Sequence, residues 1–211
     1  MNITLFGGTG ETGLLVLKKA LASGHQVTVF ARTPSKIPFQ HKRLNVIKGD
    51  LFETDHIEKA ISEAEVVLSL LGPTGKTKGL VVSEGMKNIV TAMHKYGAKR
   101  LIATATPSYP DSRDTFQLSF ALAVFMIKTL MKQTYRDIVE TGKIVAHSSL
   151  DWTLVRLPML SSKPATGNLK IGYLGSGNVS LFSLSREDLA NFLVQQVGHY
   201  KYIGEAPVIS N

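Results

Sequence analysis

The chain has 211 residues and no cysteine, which excludes disulfides, thiolate catalysis and Cys-based metal sites together. Its length and its 44% hydrophobic content suit one α/β domain over residues 1–211 with a sizeable core, and they argue against disorder. A net charge of +8 admits nucleic acid, an anionic membrane or a polyanionic cofactor as partner. The basic residues are dispersed, however, and no helix concentrates them with interleaved aromatics, so the expectation is no nucleic acid and a field that favours a phosphate-rich cofactor.

In chain order, Asn2–Phe6 reads as a strand and Leu14–Ala22 as a helix, with Gly7-Gly8-Thr9-Gly10-Glu11-Thr12-Gly13 between them. Glycines in that place let the chain turn tightly, bring N–H groups against a pyrophosphate and seat the helix close to the strand. The phosphates then lie at the positive end of the helix. Two registers fit: Gly8, Gly10 and Gly13 as GxGxxG, or Gly7, Gly10 and Gly13 as GxxGxxG. Thr9 and Thr12 add hydroxyl donors to either cradle. A strand that starts at residue 2 leaves no room for a signal peptide, so the cytoplasm is expected.

Residues 26–31 form the second strand, which ends where a dinucleotide fold meets the adenosine ribose. An acid there favours NAD(H). This chain has Ala31 and then Arg32, with Thr33, Ser35 and Lys36 close behind. Arginine clamps a 2′-phosphate that a carboxylate would repel, so NADP(H) is preferred over NAD(H). Leu44–Lys48 is the third strand and Thr54–Glu63 a short helix; Asp50 suits a turn or cap between them. Val66–Leu71 is apolar but for Ser69, as in a sheet covered on both faces. It ends in Gly72-Pro73, where backbone can approach the cofactor, and Thr74–Gly79 follows as a lid or a simple connection.

Gly79–Tyr96 reads as an amphipathic helix closed by Gly97. Arg100–Thr104 is the fifth strand, and Thr104, Ala105 and Thr106 stand at the carboxyl end that faces the ligand crevice. Residues 116–131 are a long apolar helix candidate, too short and interrupted to span a membrane. A substrate wall, a homodimer face and a membrane-surface element all fit; packing against the sheet and a partner is the favoured account. Trp152–Leu157 is the sixth strand, and its Arg156 either pairs with a buried carboxylate or points into the cleft. Lys170–Leu174 and Val179–Phe182 read as small strands on the substrate side, Ser185–Asp188 as a capping-box-like helix start, and Ala206–Ile209 as a closing strand. The six histidines, His25, His41, His56, His94, His147 and His199, show no metal-like spacing, and no metal is expected.

The Gly7, Gly10, Gly13 register resembles the short-chain dehydrogenase/reductases, in particular their atypical, NmrA-like branch. Phe30-Ala31-Arg32, Gly49-Asp50, Leu71-Gly72, Ser83-Glu84-Gly85 with Asn88–Met93, and Leu101–Thr106 fall in the order and spacing of the NADPH-dependent flavin and biliverdin-IXβ reductases of that branch. Asp151–Pro158 is similar to NmrA-like proteins as well. The resemblance implies a Rossmann-like α/β fold: a doubly wound parallel sheet with helices on both faces and a small C-terminal substrate-side region. It implies that Gly7, Thr9, Gly10, Glu11, Thr12 and Gly13 hold the phosphates, and that Asp50 and Leu51 touch the adenine. It also implies that Leu71, Gly72, Pro73, Thr104, Ala105, Thr106, Pro158 and Met159 line the nicotinamide side.

The sequence departs from that group twice: over Asp111–His147, where the flavin reductases have a shorter, proline-containing segment, and at two single positions. Thr106 stands in place of a serine and Met159 in place of a histidine, and neither supplies a titratable proton near neutral pH. The Tyr-x-x-x-Lys of typical short-chain reductases is also incomplete. Lys143 aligns with its Lys and implies a reach to the nicotinamide ribose, but Val139 stands where the Tyr belongs and Tyr135 lies a further turn back. The candidate catalytic residues are therefore Thr106, Lys143 and Tyr135. The function expected is NADPH-dependent reduction of a flavin-like or other conjugated small-molecule acceptor. A non-catalytic NADP(H) sensor is the alternative, and a sugar epimerase or ketone reductase needs Tyr135 in the site.

Overall fold

The computed structural model describes residues 1–73, 79–180 and 182–211. Eight strands form the main sheet: β1 (Asn2–Phe6), β2 (Gln26–Ala31), β3 (Leu44–Lys48), β4 (Val66–Ser69), β5 (Arg100–Ala105), β6 (Asp151–Arg156), β8 (Lys170–Gly172) and β10 (Val208–Ser210). Their order is β3-β2-β1-β4-β5-β6-β10-β8, parallel throughout except for the antiparallel β10–β8 pair. β7 (Leu160–Ser161) and β9 (Leu184–Ser185) make a separate two-stranded parallel pair.

Parallel strands need crossovers, and the crossovers cover both faces with helices. Ile3 and Leu5 of β1 face one core with α1 (Glu11–Ala22) and α6 (Arg186–Gln196). Phe6 faces the other, with α2 (Thr54–Ile61), α3 (Val81–Tyr96) and α5 (Lys132–Ala146). β4 is buried at every position, its apolar Val66–Leu68 run and the polar Ser69 that ends it alike. The chain builds outward one way from β1 and the other way from β4, so their adjacent carboxyl ends form the topological switch point.

Several boundaries differ from the sequence reading. α1 starts at Glu11, three residues before Leu14, because its first turn forms inside the glycine-rich segment. α2 stops at Ile61, where Ala64 N–H donates to the Ile61 carbonyl and turns the chain into β4. β4 stops at Ser69, which frees Leu70 and Leu71 from the sheet. α3 starts at Val81; Gly79 has φ +89° and stands outside the helix. β5 runs on to Ala105, β6 begins at Asp151 and ends at Arg156, β8 is only Lys170–Gly172, and β10 is Val208–Ser210. The strand expected at 179–182 is absent over the described residues there, and β9 follows it instead.

The expected 116–131 helix is α4 (Leu118–Leu130), broken from α5 at Met131 (φ −124°, ψ 46°). Its contacts are chiefly with α5 rather than with the sheet, and none of its described side chains is fully buried. No helix among the described residues is long and apolar enough to cross a membrane.

Candidate cofactor and acceptor site

Three cavities lie end to end along the carboxyl side of the sheet. The middle one, about 140 Å³, is walled by Gly7, Thr9, Phe30, Arg32, Asp50 and Leu51 among others. It shares Leu71, Gly72 and Val82 with a cleft of about 230 Å³. On its other side it shares Arg32, Gly49 and Asp50 with an open cavity of about 540 Å³. The shared walls make one trough across the switch point, the shape an extended ligand needs. A groove of about 510 Å³ at the amino ends of β1, β2 and β3 shares no residue with this trough and lies opposite the end where open α/β sheets bind ligands.

The glycine loop owes its residues to two different constraints. Gly7 has φ +80°, and a Cβ there would stand 2.7 Å from the Leu70 carbonyl oxygen. A Cβ on Gly13 would collide with the Gly7 carbonyl, so glycine at both places is required by packing alone. Gly8 is crowded as well, since a Cβ there would stand 2.8 Å from Val29 Cγ1, so packing does not choose between the two registers. Gly10 is different: a Cβ there would meet nothing in the protein closer than the Gly7 carbonyl oxygen at 3.6 Å. Packing leaves that space free, and a ligand's phosphate would fill it. Leu14 N–H is the first in α1 to find its helical carbonyl, on Gly10, at 2.8 Å. No capping side chain takes the N–H groups of Glu11, Thr12 and Gly13 among the described residues, which leaves them available to an anion. The residues present fit a dinucleotide.

Of the residues read as cofactor contacts, Gly7, Thr9, Arg32, Asp50, Leu51, Leu71 and Gly72 wall the middle cavity. Pro73, Thr104, Ala105, Thr106 and Pro158 wall the cleft with Val82, Ile138, Thr141, Leu157 and Leu160. Thr33, Ser35 and Lys36 wall none of the three. The Glu11 carboxylate turns away to Arg186 at the start of α6 (2.9 Å), so only the Glu11 backbone is offered to a phosphate. Residues 74–78, within the lid or connection read from sequence, lie outside the described residues.

No ionisable side chain lines the cleft among the described residues. Its polar groups are the hydroxyls of Thr104, Thr106 and Thr141 and the backbone. Thr104 Oγ1 donates to the Ser69 carbonyl (3.4 Å), and Thr141 Oγ1 to Asp137 (2.7 Å). Thr106 Oγ1 accepts the Ser108 N–H (3.3 Å), which leaves its own proton free for a ligand.

The other two residues read as catalytic stand elsewhere. Lys143 is exposed on α5 and ion-paired with Glu140 at 2.8 Å; that hydrogen bond raises its pKa above the ordinary value. Tyr135 is half-buried under Lys128, whose Nζ stands 5.9 Å from the ring centre. Neither walls the cleft, because α5 presents Ile138 and Thr141 to it instead. Met159 is 70% exposed and only Pro158 reaches the wall; Met159 uses its carbonyl to hold Leu184 N–H.

Arg156 is wholly buried and its guanidinium grips Asp114 through two bonds of 2.6 and 2.8 Å, while Nε donates to the Ala206 carbonyl. Of the two options open in sequence, pairing with a carboxylate is the one realised. Asp114 also accepts Leu174 N–H and Asp111 N–H, so the pair ties the 106–115 loop to β6 and to the C-terminal region. Beside it Arg113 joins Asp111 (2.8 Å) and Glu205 (3.3 Å). Burial pushes the Asp111 carboxyl up, and the Arg113 bonds outweigh it, leaving Asp111 below its ordinary value.

Sequence reasoning missed Asp137. It is buried on α5 and takes Val82 N–H (3.1 Å) and Ser83 N–H (2.8 Å), capping α3 where that helix borders the cleft. No local signal marks it, since the helix it caps lies more than fifty residues earlier. Among the described residues, no three His, Asp or Glu side chains gather as a metal site.

Residues 7–199 match a family model described as NAD(P)H-binding. The chain belongs to that NAD(P)H-binding family. The chain is similar to the "Isoflavone reductase homolog A622" of Nicotiana glauca, 23% identical over 93% of this chain and 64% of that protein. The fold is that of the protein titled "ChuY: An Anaerobillin Reductase from Escherichia coli O157:H7", with a TM-score of 0.81, 18% identity, and coverage of 100% of this chain and 97% of the other. A short-chain dehydrogenase/reductase of Veillonella parvula, solved in complex with NADP, has the same fold at TM-score 0.78, 19% identity and coverage of 100% and 94%. The chain spans between 32% and 67% of the length of the curated family relatives first matched.

Proposed function

We propose that this protein is a single-domain cytoplasmic reductase that uses NADPH to reduce a flavin-like or other conjugated small molecule. The observation that carries the reading is the cleft beside the switch point, whose described wall offers threonine hydroxyls and apolar surface but no acid or base. Bound NADPH supplies the hydride. The chain's own residues orient and exclude water: Leu71, Gly72 and Val82 join the cofactor cavity to the acceptor cleft, and Ile138, Leu157 and Leu160 shape an apolar wall. Rate then comes from proximity and orientation rather than proton transfer by a side chain. Thr106 donates one hydrogen bond to the acceptor. A flavin suits such a site because its reduced form takes its proton from water. The names of the two reductase relatives point to conjugated substrates as well.

Arg32 is proposed to select NADPH by its reach to the 2′-phosphate. Neither Lys143 nor Tyr135 walls the cleft, so this reading assigns them no part in the chemistry and places a ketone reductase or epimerase behind it. A homodimer through α4 is part of the proposal: Leu118, Leu122, Phe125, Met126 and Leu130 are all exposed at helical spacing and form a stripe fit for helix pairing.

The second reading is a non-catalytic NADP(H) sensor, and the same exposed stripe favours it as a partner surface. Steady-state NADPH oxidation with a panel of flavins and quinones separates the two. Turnover with a conjugated acceptor supports the reductase; tight NADPH binding with no oxidation by any acceptor overturns it in favour of the sensor.

A further inference from the structure

A groove of about 410 Å³ runs along α6, on the flank where β8 ends the main sheet, and shares no residue with the trough. Asp188 enters its wall from the first turn of α6 and Gln196 from the last, ~12 Å apart along the helix at 1.5 Å per residue. Phe192 stands midway between them on the same helix face, and Leu169 and Ile171 of the β8 segment complete an apolar stretch.

The two ends differ in what they leave open. The Asp188 carboxylate accepts four hydrogen bonds, from Thr166 N–H and Oγ1, Gly167 N–H and Asn211 Nδ2. Gln196 is 4% exposed, and its Oε1 is buried with no hydrogen-bond partner among the described residues. A buried amide oxygen left in that state costs stability, and a donor entering the groove removes the cost. The same end is positive. Arg100, 3% exposed, donates from Nη2 to the carbonyls of Gln196 and His199 (3.4 Å each). Lys201 and His199 wall the groove there and are exposed. Neither Arg100 nor Lys201 forms an ion pair within 4 Å among the described residues.

We propose that this groove is a second ligand site, for a small aliphatic 2-hydroxy acid. The hydroxyl donates to Gln196 Oε1, the carboxylate meets Lys201 in the field of Arg100, and the tail lies on Phe192, Ile171 and Leu169. Each part of the class has its own cause. Oε1 takes only a donor. The positive charges at that end disfavour an ammonium as the donor, and Asp188 at the far end disfavours a second carboxylate. The site goes beyond the reductase reading and does not depend on it.

Isothermal titration of the full chain with 2-hydroxy-4-methylpentanoate tests the site, beside two analogues. 4-Methylpentanoate lacks the hydroxyl, and leucine carries an ammonium in its place. The hydroxy acid is expected to bind about fivefold tighter than either, the size of one neutral hydrogen bond. Gln196→Leu should bring it down to the level of 4-methylpentanoate, whose own affinity stays unchanged. Lys201→Ala should weaken both acids alike, about two- to fivefold at low salt. Gly10→Val, a change in the trough, should leave all three ligands unaffected. A cooperative thermal transition shows that each variant is folded; if Gln196→Leu is not, the three ligands on the wild type and on Lys201→Ala still decide. No saturable binding of the hydroxy acid, equal binding without its hydroxyl, a hydroxyl preference that survives in folded Gln196→Leu, unweakened binding of both acids in Lys201→Ala, or loss of binding in Gly10→Val overturns the site.

Discussion

The glycine loop and the 106–156 region bound the same trough, yet they are held in different ways. In the loop the contacts are backbone sterics: Gly13 lies against Gly7 within the loop, and Gly7 also against Leu70 just past the end of β4. Across the trough, shape depends on side chains far apart in sequence, with Arg156 gripping Asp114 and Asp137 capping α3. The first kind of constraint leaves a mark at fixed spacing. The second leaves isolated charges whose partners the spacing does not reveal.

Breaking the long-range side should have the largest effect on stability. Asp114→Ala leaves the Arg156 guanidinium buried without its carboxylate, a change that costs about 3–5 kcal/mol. The lower end applies because Asp114 is itself 15% exposed. A large fall in thermal midpoint is expected, and an unchanged midpoint would show that the pair does not anchor the acceptor side.

Gly10→Val tests the local side and should separate binding from folding. The new Cβ meets nothing in the protein closer than the Gly7 carbonyl oxygen at 3.6 Å, and the side chain would compete with a phosphate bound there. NADPH binding is expected to fall by more than about a hundredfold, ~2.7 kcal/mol, with the thermal midpoint little changed. Calorimetry that finds normal NADPH affinity would remove the phosphate cradle from the loop.

Cofactor preference comes next. NADPH should bind at least about tenfold tighter than NADH, taking the low end of a charged hydrogen bond, and the margin should shrink with salt. Arg32→Asp should reverse the order, since it restores a ribose-binding carboxylate and repels the phosphate. Retention of NADPH preference in that variant would mean that another group recognises the phosphate.

The smallest effects sharpen the contrast on the acceptor side. Tyr135→Phe and Lys143→Ala should each leave turnover within about twofold, whereas Thr106→Val should cost about tenfold for its one hydrogen bond. A hundredfold loss in Tyr135→Phe with normal folding would restore the tyrosine mechanism. The Arg113–Asp111 pair also predicts a modest acid sensitivity. A carboxyl held below its ordinary value stabilises the fold above that value and loses the contribution as pH falls through the lowered one. Asp111→Asn should flatten the acid limb of the stability profile; an unaltered limb would place its cause elsewhere.

The amino-acid sequence alone determined the strand–glycine–helix unit, the doubly wound parallel sheet and a large share of the residues that wall the middle cavity. The physical reason is that backbone sterics and apolar runs act over a few residues: glycine where a Cβ cannot fit, apolar strands where both faces are covered. It also placed Arg32 at the end of β2, since strand length sets that position. Tertiary structure alone decided which side chains meet. Tyr135 and Lys143 share a helix with Ile138 and Thr141, and spacing cannot say which of its faces turns to the cleft. Arg156 was legible as an anomaly in an apolar strand, but its partner Asp114 comes from a loop forty-two residues away. Asp137 gave no signal because a helix-capping carboxylate supplied from another helix needs only proximity, and proximity is a property of the packed chain.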